Sequence, residues 1–219
     1  MLTNKVFERF LLPNAKLTEN MAFVLYSFVK FNRPQSILEV GAGYSTLFIA
    51  QAIKDVQDEI WYDRIHKKAI LKNKTKFYGK KYNPSYDVID SDTHILSQIR
   101  NVFNQLGCFD NLNVKLHHTM YESFSHSKKY DLLWVDAGLH NKLVNYIDGM
   151  LSCLTSNGML LIHSTCTNKE GRNFLQFLNS DSRFQDYEIV NMVEPHKVTQ
   201  NSFTLIKKKV EYTVYTENS

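Results

Sequence analysis

The chain has 219 residues, of which 43% are apolar and 13% aromatic, values typical of one globular domain with a sizeable core. Its net charge of +4 is too small to identify a polyanionic partner. The three cysteines, Cys108, Cys153 and Cys166, lack CxxC spacing, so they indicate free thiols in a reducing compartment and imply neither a disulfide framework nor a zinc site. No apolar run approaches the ~20 residues of a membrane span. We therefore expect a cytoplasmic protein without membrane association, because the charged N-terminus does not resemble a signal peptide either.

Short apolar runs alternate with amphipathic segments along the chain. Helical spacing of apolar residues begins at Thr18 and ends before Pro34. Five segments that follow are predicted strands: Ser36–Val40, Tyr86–Ile89, Asn113–His117, Tyr130–Asp136 and Gly158–His163. The segments between them are predicted helices: Ser45–Ile53, from Asp92 or Thr93 to Leu106, Lys142–Leu154 and 169–179. Tyr187–Val193 and Phe203–Lys207 are predicted to form a closing hairpin.

Continuous apolar strands that alternate with helices predict an α/β fold, a doubly wound, Rossmann-like and mostly parallel sheet covered on both faces. Ligands of such sheets bind at the carboxyl ends of the strands. We expect one domain over residues 1–219, with an N-terminal helical cap over 1–35 and an insertion over 54–85 after the first core helix.

A glycine turn follows the first predicted strand. Gly41 and Gly43 lack a Cβ, so the backbone can turn sharply and approach a ligand closely, while Ser45 and Thr46 open the next helix. A dinucleotide-binding fingerprint would carry a third glycine or alanine at position 46, where this chain has Thr. Glu39, inside the strand, favours a cationic ligand because a carboxylate accepts hydrogen bonds from an ammonium group. The alternative is a plain strand–turn–helix corner.

A second acidic residue ends the next strand. Asp90 is positioned to accept hydrogen bonds from ribose hydroxyls, and Asp92 is the expected cap of the following helix, although the two could exchange roles. The gap of roughly 50 residues between turn and acid exceeds the usual ~20. The predicted insertion explains the difference.

These segments resemble the class I S-adenosylmethionine (SAM)-dependent methyltransferases. Residues 37–46 are similar to motif I of that superfamily, with the Gly-Tyr-Ser-Thr ending of its small-molecule O-methyltransferase-like branch. Residues 88–92, 132–140 and 158–163 are similar to its second, fourth-strand and fifth-strand motifs. The resemblance extends roughly over 18–210 outside the insertion, and it implies a seven-stranded sheet and SAM as cofactor.

The resemblance also implies roles for individual residues. Glu39 and Gly41 would face the methionine amine and carboxylate of SAM, and Asp90 would hold the ribose. Thr119 and Met120 would border the adenine. The expected cofactor-binding set is Glu39, Gly41, Ala42, Gly43, Tyr44, Ser45, Thr46, Asp90, Ser91, Thr119, Met120 and Asp136.

Three side chains at predicted strand ends are candidates for catalysis. His163 could act as a general base, or be a neutral histidine bonded to a loop backbone. His140 could orient a loop or a carboxylate, and Asp136 could hold the fourth-strand loop near the sulfonium. Methyl transfer needs a base only if the acceptor starts protonated, since alignment supplies much of the rate.

Two specialised branches of the superfamily are not favoured. The metal-dependent enzymes carry an Asp-Asn pair after the fifth strand, where this chain has His163 and Ser164, so we expect no metal site. The amino-methylating nucleic-acid enzymes carry an (Asn/Asp)-Pro-Pro-(Tyr/Phe) segment after the fourth strand, where this chain has residues 136–139, Asp-Ala-Gly-Leu.

The predicted insertion combines nine Lys or Arg with four Asp or Glu and several aromatic residues. It could form a lid or a cap on a small-molecule or peptide acceptor, a contact in a homodimer, or a surface for single-stranded nucleic acid. The sequence thus predicts methyl transfer from SAM to an O or N atom of a small molecule or peptide side chain. The alternatives are a catalytically inactive SAM-binding regulatory or assembly subunit, and an RNA methyltransferase that uses the insertion.

Overall fold

The computed structural model describes residues 19–66, 82–107, 109–125, 128–196 and 202–209. Residues 1–18 of the predicted cap and 67–81 of the predicted insertion lie outside this part of the chain. The helices are α1 (Glu19–Asn32), α2 (Tyr44–His66), α3 (Thr93–Leu106), α4 (Leu143–Ser152) and α5 (Lys169–Ser180). The strands are β1 (Ser36–Val40), β2 (Ser85–Asp90), β3 (Asn113–His118), β4 (Tyr130–Val135), β5 (Leu154–His163), β6 (Tyr187–Val193) and β7 (Ser202–Lys208).

The strands form one seven-stranded sheet in the order β3-β2-β1-β4-β5-β7-β6. The five strands β1 to β5 are parallel, whereas β7 runs antiparallel to both β5 and β6. This confirms the predicted mostly parallel, doubly wound sheet and its closing hairpin. The order reverses between β1 and β4, and such a reversal opens a crevice at the carboxyl ends of those strands.

Along each strand, successive side chains point to opposite faces of the sheet, so the hydrophobic core has one part on each face. On one face, α1 and α2 pack against β1, β4 and β5, with Leu25, Ile53 and Trp134 fully or almost fully buried. On the other face, α4 and α5 bury Ile147 and Phe174 against the same strands. Both faces are therefore covered, which explains why the central strands are continuous apolar runs.

Helix α2 extends well beyond its predicted end at Ile53. The pattern of burial continues through Val56 and Ile60, and the helix ends at His66. At 1.5 Å per residue its 23 residues span about 35 Å, roughly twice the length of the five-residue strand β1. Because α2 begins at the carboxyl edge of the sheet, it ends beyond the opposite edge. Residues 54–66 of the predicted insertion thus belong to this core helix.

Within the described ranges, no helix is both long enough and apolar enough to span a membrane. Cys153 and Cys166 are free thiols, whereas Cys108 lies outside the described residues.

Candidate active site

The turn after β1 lies directly against the end of β4. The backbone N–H of Asp136 donates to the Val40 carbonyl (2.7 Å), and the Gly41 N–H donates to the Ile89 carbonyl on β2 (2.9 Å). Gly41 has a φ of +99°, and a Cβ on it would lie 2.3 Å from the carbonyl oxygen of Asp136. Glycine is therefore required at position 41 both by its conformation and by the space available.

Gly43 and Thr46 are joined by two hydrogen bonds across the same turn. The Gly43 N–H donates to Thr46 Oγ1 (3.0 Å), and the Thr46 N–H donates to the Gly43 carbonyl (3.2 Å), an arrangement like a capping box. A Cβ on Gly43 would meet no atom within 4 Å. The glycine at this position thus leaves open space beside the first turn of α2, which a ligand can enter.

Asp90 connects the turn to the start of α3. Its Oδ2 accepts from the Ala42 N–H (2.8 Å) and its Oδ1 from the Asp92 N–H (2.7 Å). Asp92 in turn accepts from the His94 N–H and caps α3, which confirms its predicted role. Each carboxylate oxygen of Asp90 has a second lone pair, so the side chain can still accept from a ligand hydroxyl.

Glu39 is fully buried under the first turn of α2. Its carboxylate accepts hydrogen bonds from the Ser45 and Tyr86 hydroxyls. Burial raises the pKa of Glu39 from 4.5 to about 7, against the opposing effect of hydrogen bonds from Ser45, Tyr86 and Thr46, and the charge of Asp136 acts in the same direction as burial. The carboxyl group of Glu39, at the base of the turn, therefore has a pKa near neutral pH.

The structure brings together the three predicted catalytic candidates. His163 Nδ1 lies 2.7 Å from Asp136 Oδ1, and His140 Nε2 lies 2.9 Å from the backbone oxygen of His163. The His163 side chain is 2% exposed, whereas that of Asp136 is 27% exposed. Asp136 is therefore the accessible member of the pair, with His163 behind it and His140 bonded to the β5 backbone.

Two buried polar atoms nearby have no hydrogen-bond partner among the described residues. They are Trp134 Nε1 and Ser164 Oγ. Trp134 pairs with Glu39 across β4 and β1, and its ring centroid lies 5.7 Å from that of His163. Ser164 follows His163 in a left-handed conformation with a φ of +58°, which is uncommon for a residue with a side chain. Both atoms are buried close to the Asp136–His163 pair.

The residues predicted to border the adenine lie on the β2–β3 side of the crevice. The Thr119 N–H donates to the Asp90 carbonyl (3.0 Å), so the end of β3 is fixed beside Asp90. The Ser91 carbonyl lies 3.1 Å from His118 Nε2, and the Met120 side chain is exposed. The cofactor candidates thus form one continuous edge from β4 through β1 to β3.

The sequence did not predict the cluster of charged residues around the buried Asp87, which anchors the β3–β4 connection. Asp87 on β2 contacts Lys128 Nζ (2.5 Å) and His117 Nε2 (2.9 Å). Burial acts to raise the pKa of Asp87, but the hydrogen bonds from Lys128 and His117 outweigh it and hold the pKa below its usual value. Within the described ranges, no group of three or more His, Cys, Asp or Glu residues is arranged to hold a metal ion.

Comparison with known proteins gives a family match. Residues 38–165, more than half of the chain, match the family model described as a methyltransferase domain. No curated protein sequence matches the chain significantly.

Solved structures with low sequence identity share the fold. An O-methyltransferase from Bacillus cereus in complex with S-adenosylhomocysteine (SAH) has 13% identity and a TM-score of 0.64, covering 95% of this chain and 93% of that one. The O-methyltransferase TomG from Streptomyces achromogenes, involved in tomaymycin synthesis and solved with SAM, has 14% identity and a TM-score of 0.63, covering 94% and 87%. An rRNA methylase from Streptococcus thermophilus has 14% identity and a TM-score of 0.57, covering 88% and 97%.

The two glycines of the turn provide a matched pair of variants. Gly41→Ala should lower the free energy of unfolding by ~2 kcal/mol or more, because its Cβ overlaps the Asp136 carbonyl and its φ is unfavourable. Gly43→Ala should change it by less than ~1 kcal/mol, since no atom opposes the new methyl group. Urea denaturation of both variants measures the difference; equal destabilisation would contradict the described turn.

Glu39 should make stability depend on pH near neutrality. Its folded-state pKa of about 7 lies above the ordinary value of 4.5, so the free energy of unfolding falls as pH rises between these values. The full effect is roughly 3 kcal/mol. Glu39→Gln should lack this component, so the difference between the unfolding free energies of wild type and variant should change across pH 5 to 8. Parallel pH profiles would show that Glu39 is not titrating there.

Proposed function

Because the chain belongs to the methyltransferase domain family, we propose that it transfers the methyl group of SAM to an O or N atom of a small molecule or a peptide side chain. The observation that carries the proposal is the shared edge formed by the glycine turn, Glu39 and Asp90. Its contacts lie at the point where the strand order reverses, the usual ligand position in such sheets.

The charges of the described residues, and the open space beside Gly43, support SAM as the ligand. SAM carries a sulfonium and an ammonium group, and the edge contains the carboxyl groups of Glu39 and Asp136. The open space beside Gly43 admits a ligand next to the helix N-terminus, where N–H groups favour the methionine carboxylate. Asp90 retains lone pairs for the ribose hydroxyls. The Bacillus cereus and Streptomyces achromogenes enzymes, solved with SAH and SAM, support the same choice of cofactor.

The catalytic part of the proposal concerns the Asp136–His163 pair. SAM, when bound, supplies an activated methyl group on a positively charged sulfur. Asp136 is exposed enough to reach an acceptor, and it orients the acceptor hydroxyl or amine and takes its proton. His163 holds the Asp136 carboxylate in position through Nδ1, while His140 fixes the β5 backbone behind it. Most of the rate would come from alignment of acceptor and methyl group.

The proposed reaction needs no divalent cation. Hard cations such as Mg²⁺ bind best to several oxygen ligands, and the position after β5 offers His163 and Ser164 beside the single carboxylate of Asp136. We place the activity in the cytoplasm, where the free Cys153 and Cys166 would remain reduced.

A small acceptor agrees better with the fold than an RNA acceptor. The described part of the predicted insertion, 54–66, contains two basic and four acidic residues, so this part offers no basic surface for RNA. The fold shared with an rRNA methylase at 14% identity does not by itself transfer that activity.

Transfer of a labelled methyl group from SAM to pools of phenols, catechols, amines and short peptides tests the proposal. The wild type should label a small acceptor, and excess EDTA should leave the rate unchanged. Asp136→Asn should lower kcat by ~100-fold or more, because the amide cannot take the proton. Conversely, labelling of RNA alone would identify the RNA alternative, and SAM binding without transfer to any pool would identify an inactive SAM-binding subunit.

A His163→Gln variant separates positioning from proton transfer. Gln can still donate to Asp136, so its kcat should fall less than that of Asp136→Asn. A larger loss in His163→Gln than in Asp136→Asn would make His163 the base and contradict the proposed assignment.

A further inference from the structure

The two edges of the sheet differ in how they are protected. Strand β3, at one edge, carries the exposed Lys115 at its centre, and a charged residue of this kind discourages pairing with another strand. Strand β6, at the other edge, has seven residues and only one charge, at Glu188. Within the described ranges, the backbone of β6 pairs with β7 alone, so its outer row of N–H and C=O groups has no partner.

The side chains of β6 are also unusually apolar for an exposed edge. Val190, Met192 and Val193 are 47%, 44% and 54% exposed. An exposed edge strand with apolar side chains is a template for pairing with a further strand. This edge therefore offers both backbone hydrogen bonds and apolar area to a partner.

Helix α1 extends the same apolar surface. Its first turn is joined to the end of β6 by a hydrogen bond from Asn20 to Glu194, and Phe28 packs edge-on against Phe203, which pairs with Met192. The outer side of α1 forms an apolar groove of about 450 Å³ that is lined in part by Val24, Phe28 and Phe31. Phe31 is 89% exposed. Val190 and Met192 of β6 and the α1 groove thus lie on the same face of the sheet.

The geometry points to a homodimer in which β6 pairs antiparallel with β6 of a second copy, forming one sheet of fourteen strands. Full overlap of the seven residues places Val190 opposite its own symmetry mate. Glu188 then faces Met192 of the other copy, and Tyr187 faces Val193, so no two like charges lie directly opposite. A second copy fits this edge because the one charge of β6 meets an apolar residue and the exposed Val190 meets its own equivalent, as an isologous contact requires.

The side chains support the same symmetric arrangement. Antiparallel pairing around the two-fold axis keeps equivalent faces on the same side. Val190 and Met192 of both copies therefore form one apolar strip, with the α1 grooves on either side of it. The contact is separate from the crevice at the carboxyl ends of β1 and β4.

Sedimentation of the full chain over roughly 5–200 µM tests the dimer, a range suited to a contact of modest area. The wild type should dimerise, and Val190→Lys should raise the dimer dissociation constant at least ~10-fold with an unchanged melting temperature. Val144→Lys is the matched control, because Val144 is an apolar residue of similar exposure (43%) on α4. This control should dimerise like the wild type. A monomeric wild type, or equal effects of the two lysines, would overturn the proposal.

A cysteine pair tests the register. Directly opposed strand residues have Cα atoms about 4.5–5.5 Å apart, within the range of a disulfide. Val190→Cys should therefore give a covalent dimer on oxidation. Met192→Cys should not, because its symmetry mates are separated by four residues, about 13 Å. Val144→Cys controls for linkage through the native cysteines, and cross-linking of Val144→Cys as efficient as that of Val190→Cys would contradict the predicted contact.

Discussion

The candidate site depends on the close approach of two backbone segments, the turn after β1 and the end of β4. No side-chain atom fits at Gly41, where a Cβ would lie 2.3 Å from the Asp136 carbonyl. This contact extends the β1–β4 pairing by one more hydrogen bond, from Asp136 to Val40. As a result, the acidic residue before the turn and the acidic residue after β4 lie at the same edge of the sheet. Asp90 adds the third carboxylate by holding the Ala42 N–H.

The electrostatic character of this edge follows from the burial of Glu39. A carboxyl without solvent exposure is costly to ionise, and the hydrogen bonds from Ser45 and Tyr86 only partly offset that cost. A cationic ligand placed nearby would stabilise the ionised form. The proposed cofactor carries two such positive groups, so binding of SAM and ionisation of Glu39 should favour one another.

Much of the fold could be predicted from the sequence, because a continuous apolar run such as 132–135 indicates a strand that is covered on both faces. The turn was also predictable, since Gly41 and Gly43 follow a strand directly. The end of α2 was not, because Val56 and Ile60 alternate with charged residues that resemble an exposed segment. Hydrogen bonds between distant residues, such as Tyr86 to Glu39 and Lys128 to Asp87, were not predictable because they depend on strand register.

The same distinction applies to the catalytic candidates. Strand ends indicated Asp136, His140 and His163, and the structure places the three together. The sequence favoured none of them as the accessible group, because relative exposure is set by packing against Trp134 and by the hydrogen bond between His163 and Asp136.

Calorimetric titration of the purified chain with SAM and SAH tests the central claim most directly. Both ligands should bind to the wild type, and Asp90→Ala should weaken both by roughly 10- to 100-fold, the loss expected for one or two hydrogen bonds that involve a charged group. If neither ligand binds, or if Asp90→Ala binds both with unchanged affinity, the glycine turn and its acidic neighbours are not a SAM site.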